Sequence, residues 1–89
     1  MTNKRSNLIT VTNIGAFQST ADCLISDLDY DKIISVTPFV DSNTGGYTEC
    51  INVGVRIMNN KYWIKGYTLT TIPSSVTLNI GVVIQYIDD

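Results

Sequence analysis

Apolar and polar residues alternate with a period of two along most of this chain. The clearest run is Val76, Leu78, Ile80, Val82, Ile84 and Tyr86, interleaved with Thr77, Asn79, Gly81 and Gln85. Successive side chains of a strand point to opposite faces, so the pattern predicts a long strand with one buried face. Val83 and Ile87 put apolar groups on the other face too, which fits a central strand or one covered by another subunit. A second run, Ile51, Val53, Val55 and Ile57, alternates with Asn52, Gly54, Arg56 and Met58. Asn59-Asn60 follows; asparagine tolerates left-handed backbone, so a tight hairpin turn is expected there. The return strand spans 62–71, with Tyr62, Ile64, Gly66 and Thr68 on one face and Trp63, Lys65, Tyr67 and Leu69 on the other. Pro73 then breaks the ladder, because proline has no N–H to donate.

Upstream, strands are expected at 33–40, 20–26 and 8–14, with Gly15-Ala16-Phe17-Gln18-Ser19 separating the last two. Asp41-Ser42-Asn43-Thr44-Gly45-Gly46 reads as a flexible loop with two glycines at its tip. About six short strands divided by turn signals predict an all-β fold, a single antiparallel β-sandwich. Residues 1–6 are polar and read as a frayed or linker segment, leaving 7–89 as the domain.

Composition agrees. Isoleucine, valine and threonine, stiff at χ1 and suited to a pleated surface, dominate, while alanine occurs only at Ala16 and Ala21. The chain has 89 residues, 44% of them hydrophobic and 16% charged, with a formal net charge of -2. Lys4, Arg5, Lys32, Arg56, Lys61 and Lys65 are scattered rather than gathered into a basic stripe, which argues against nucleic-acid binding. No apolar h-region follows the N-terminus, and no apolar run reaches the ~18 residues of a membrane-spanning helix. Synthesis in the cytoplasm without a signal peptide and no membrane insertion are therefore expected.

Histidine is absent. That removes the commonest general base and metal ligand, and leaves Cys23 and Cys50 without a base to activate them. No enzyme activity and no cofactor are expected. Asp27, Asp29 and Asp31 alternate as in a calcium loop, but Lys32 and Pro38 stand where that loop needs glycine and glutamate, so a solvated acidic turn is the expectation. A carboxylate pair acting on glycans is a weaker alternative, since so small a domain leaves little room for a pocket. Cys23 is in register with Ala21 and Ile25 and is expected inside. Cys50, in register with Asn52 and Arg56, is expected to face water or a subunit contact, so an internal disulfide is not expected.

The chemistry that remains is aromatic and amide-rich. Aromatic faces stack on the C–H faces of sugars, and Asn and Asp side chains hydrogen-bond hydroxyls. Asp41, Asn43 and Tyr47 around the glycine loop, and Asn59, Asn60, Tyr62 and Trp63 around the hairpin, are the candidate ligand-binding residues. Trp63 and Tyr67 also suit cross-strand packing or a subunit interface, so the loop tips carry more of the expectation.

The string Asp31-Lys32-Ile33-Ile34-Ser35-Val36-Thr37-Pro38, the Asn/Gly loop and the closing Ile80-Gly81-Val82-Val83-Ile84-Gln85-Tyr86-Ile87 resemble the C-terminal receptor-binding (head) domains of bacteriophage tail-fibre and baseplate proteins of Gram-positive hosts. The strand, V-x-P, loop, long hairpin and final hydrophobic strand also resemble H-type-lectin-like sandwiches. The resemblance spans 20–87 and is one of strand and turn texture. It implies a virion module at the tail tip, a homotrimer packed about a threefold axis with the strand 76–87 at its interface, and a host cell-surface saccharide as partner. The departure is that these 89 residues contain no fibre-like or coiled-coil stem. The alternative expectation is a stand-alone small phage protein that inhibits or sequesters a host factor.

Overall fold

The computed structural model describes residues 2–40, 47 and 50–87. Its strands are β1 (Thr2–Val11), β2 (Cys23–Leu24), β3 (Ile33–Val40), β4 (Ile51–Met58), β5 (Lys61–Thr68) and β6 (Leu78–Tyr86), and one 3-10 turn, Tyr30–Lys32, leads into β3. They form two three-stranded sheets, ordered β1-β6-β3 and β2-β5-β4. All pairings are antiparallel. The all-β expectation holds.

The core lies between the sheets. From the first sheet come Val11, Leu78, Ile80, Val82 and Ile84; from the second, Ile51 and Ile64. The sheets approach closely at Gly66: a methyl group placed there would lie 2.7 Å from Cδ1 of Ile80. Glycine is needed because the isoleucine from the facing sheet already fills the space. Thr68 is the one polar residue buried with this core among the described residues. Its hydroxyl donates to the carbonyls of Gly15 (2.6 Å) and Gln18 (3.0 Å), which fastens the 15–18 loop to the second sheet.

β6 is the central strand of its sheet, flanked by β1 and β3. The central position expected from its two apolar faces is therefore met, with Val83 half-buried and Ile87 43% exposed. On the outer face Val83 lies level with Arg5 and Thr37, and Gly81 with Asn7 and Phe39. The Arg5 guanidinium sits 4.5 Å from the centre of the Phe39 ring, so the chain's own side chains cover part of this face, over Gly81.

Several boundaries differ from the sequence expectation. Residues 2–6, expected as a linker, are strand: Thr2 pairs with Tyr86 and Lys4 with Ile84. The polar side chains hide this, because backbone pairing to β6 holds the segment there. The expected strand 20–26 shrinks to Cys23–Leu24. Around it β5 is tied at separate points, Phe17 N to Thr68 O, Thr20 N to Gly66 O and Ile25 N to Tyr62 O. The chain therefore follows β5 as a series of contacts rather than a ladder. β5 ends at Thr68 rather than 71, and β6 starts at Leu78, although Val76 is still buried. Asn59 and Asn60 have φ of 54° and 65°, the left-handed pair a tight two-residue hairpin requires. Both cysteines are free thiols and half-buried. Cys23 Sγ lies 3.6 Å from the Leu8 carbonyl. Cys50, expected to face water or a subunit contact, has its backbone bonded to Tyr47 and Leu69.

Candidate functional site

The described members of the expected ligand-binding set do not converge. Asp41 and Asn43 lie outside the described residues. Tyr47 is half-buried and packs against the core. It sits beside the start of β4, where the Cys50 N–H donates to its carbonyl. Asn59 and Asn60 are at the other end of β4, on the order of 25–30 Å away at ~3.3 Å per residue. Tyr47 and the Asn59-Asn60 hairpin therefore occupy opposite poles. Tyr62 and Trp63 point to opposite faces of β5, as neighbours in a strand must. Tyr62 packs against the core. Trp63 is on the outer face, level with Arg56 and Leu24, and its indole N–H donates to the Met58 carbonyl at 2.9 Å. The described aromatics form no common platform.

What the fold does assemble is a cleft at the hairpin pole. It is open, about 450 Å³ in volume, and lined by Lys4 of β1 and by Leu24, Ile25, Ser26, Asp27 and Leu28. Lys4 reaches this position because β1 extends to Thr2. Ser26 is held by the N–H of Leu28, which donates to its Oγ at 3.1 Å, and its own hydroxyl proton is left to donate outward. The Asn59-Asn60 hairpin is laced to the same segment. Lys61 Nζ donates to the Asp27 carbonyl and to Asp29 Oδ1, both at 2.9 Å, and the Tyr30 N–H donates to the Asn60 carbonyl at 2.8 Å. Of the three alternating aspartates, Asp29 is thus engaged in an ion pair with a 62% exposed side chain. Such a pair is worth little to stability. It does, however, fix the hairpin against the cleft wall. Among the described residues, no group of three or more His, Cys, Asp or Glu side chains could hold a metal ion.

The cleft carries one cation, Lys4, and one anion, Asp27, beside a hydroxyl and the leucine side chains. Donors and an acceptor therefore face a ligand without a net charge to select for phosphate or metal. A smaller apolar notch of about 90 Å³ lies on the outer face of the second sheet, bounded by Asp22, Gly54, Val55, Arg56 and Lys65. Asp22 and Arg56 form an ion pair there, while the second carboxylate oxygen of Asp22 is buried without a partner. Sequence reading missed Lys4, Ser26 and Asp27, since residues some twenty positions apart meet only once β1 and the 24–28 segment are folded. It also missed Phe17, which is 68% exposed with φ of 59°, an uncommon conformation for an aromatic residue. No family model, no curated protein and no solved structure matches this chain.

Proposed function

We propose that this chain is a non-enzymatic binding module that holds a neutral saccharide in the cleft between Lys4 and the 24–28 segment. The observation that carries this reading is the cleft's own lining: a lysine and a serine that can donate, an aspartate that can accept, and three apolar residues among them. Sugars present hydroxyls of both hydrogen-bonding senses over apolar C–H faces, which matches that lining. An unpaired phosphate would meet Asp27, and a bare cation would meet Lys4.

The resemblance of 31–38 and 80–87 to phage receptor-binding head domains extends the proposal to a virion module at a tail tip that recognises a host cell-surface saccharide. A scaffold of two antiparallel sheets with a polar cleft at one pole is compatible with that role, since binding residues concentrate where a rigid scaffold presents loops.

The test is binding of the full chain to an array of immobilised oligosaccharides and to intact Gram-positive cells, beside the Lys4→Ala and Asp27→Ala variants. Selective glycan binding that each substitution weakens about tenfold or more is expected, the scale of one lost charge-assisted hydrogen bond. Binding that neither substitution weakens, or no binding to any sugar or cell, would overturn it.

A further inference from the structure

Four strands border the two sheets: β1 and β3 on the first, β2 and β4 on the second. A bordering strand leaves a row of backbone N–H and C=O groups free to pair with another chain, and proteins blunt such edges with charges, proline, bulges or shortness. Three of the four are blunted here. β1 carries Lys4 and Arg5 and an irregular register at Leu8. β3 contains Pro38 and breaks register at Ile34. β2 is two residues long.

β4 has none of these devices. Its eight residues pair with β5 in unbroken register and contain no proline. Its one charge, Arg56, is already engaged by Asp22. Its core-facing row also runs out from under the first sheet. Ile51 is 7% exposed, but Val55 is 37% and Ile57 50% exposed. Among the described residues, one strand thus combines an unpaired edge with an exposed row of β-branched side chains.

We propose that β4 is the contact of a homodimer, in which the β4 of a second copy pairs antiparallel across the free edge and continues the second sheet. The occupant is a second copy because the edge is complementary to itself. With Gly54 facing Gly54 of the partner subunit, Ile51 faces Ile57 and Val53 faces Val55, so the apolar rows meet on one side of the sheet. Arg56 then faces Asn52, and no like charges oppose. Moving the partner by two residues, so that Val55 faces Val55, would instead bring a second Arg56 over Gly54, beside Lys65 and the Arg56 that Asp22 already pairs. The Gly54-centred register therefore keeps each Arg56 opposite Asn52 rather than near another cation. Such a contact is isologous and closes at two copies. It stands independently of the saccharide reading.

The experiment is light scattering coupled to size exclusion on the full chain, from low to high micromolar concentration. Twice the chain mass at high concentration is expected for the native sequence. Val55→Lys puts a charge in the apolar row twice per dimer and should weaken association about a hundredfold or more, leaving a monomer. Ile57→Lys, at a still more exposed position, should do the same and serves if Val55→Lys alters the far-ultraviolet circular dichroism. Ile34→Lys, equally exposed on β3, should leave the dimer intact. A native chain that is monomeric throughout, a trimer, or a dimer that survives both β4 substitutions would overturn the proposal.

Discussion

β6 and β4 carry the same alternation and meet different fates. Leu78, Ile80, Val82 and Ile84 in β6 are all buried, whereas in β4 burial fades from Ile51 to Ile57. The difference is position, not composition: β6 lies between two strands and beneath the second sheet, while β4 is the border of its sheet and overhangs. A period of two fixes which residues share a face. It does not say whether anything lies on that face.

Substitutions in the two strands should separate accordingly, measured by urea unfolding at low micromolar concentration so that any dimer is dissociated. Ile80→Ala is expected to have the largest effect, about 3–4 kcal/mol, because it opens a cavity over Gly66 at the centre of the core. A chain of this length has on the order of 4–13 kcal/mol in total, so this variant should be close to unfolded. The glycines give a sharper contrast. A methyl group at Gly81 in β6 would lie 2.8 Å from the Ser6 backbone carbonyl and press on the Phe39 ring, while one at Gly54 in β4 meets nothing within 4 Å. Gly81→Ala should therefore cost about 2–3 kcal/mol through overpacking that the backbone cannot relieve.

Thr68→Val keeps shape but removes the hydroxyl that holds the 15–18 loop, and is expected to cost about 1–2 kcal/mol. Ile57→Ala should cost less than about 1 kcal/mol, since the side chain is already half in water. Gly54→Ala should be neutral or stabilising by about 0.5 kcal/mol, through reduced freedom of the unfolded chain. If Ile57→Ala matched Ile80→Ala, or Gly54→Ala matched Gly81→Ala, the contrast between the strands would be false.

Much of the fold was legible because local rules agreed. The bounds of β3 and β4 and the Asn59-Asn60 turn follow from alternation and from asparagine's tolerance of positive φ. β1 was misread over residues 2–6 because its pairing is made by backbone, beneath side chains that read as linker. The shortness of β2 was equally hidden, since Ala21, Cys23 and Ile25 alternate well but only two residues form the ladder. The expected site was less legible still. Its residues were chosen by chemistry along the chain, and folding sends Tyr47 and Asn59 to opposite poles and turns Tyr62 and Trp63 to opposite faces. The cleft draws instead on Lys4, whose position depends on strand order, and alternation does not encode strand order.

The central claim is that the chain itself buries the core row of β6, while β4 is covered by the proposed second copy. Residue-resolved hydrogen exchange of the native chain, repeated from low to high micromolar concentration, tests it most directly. The β6 amides should be slow at every concentration, while the β4 amides directed away from β5 should be fast when dilute and slow when concentrated. Outward β4 amides as slow as those of β6 at the lowest concentration, or fast at the highest, would contradict the account.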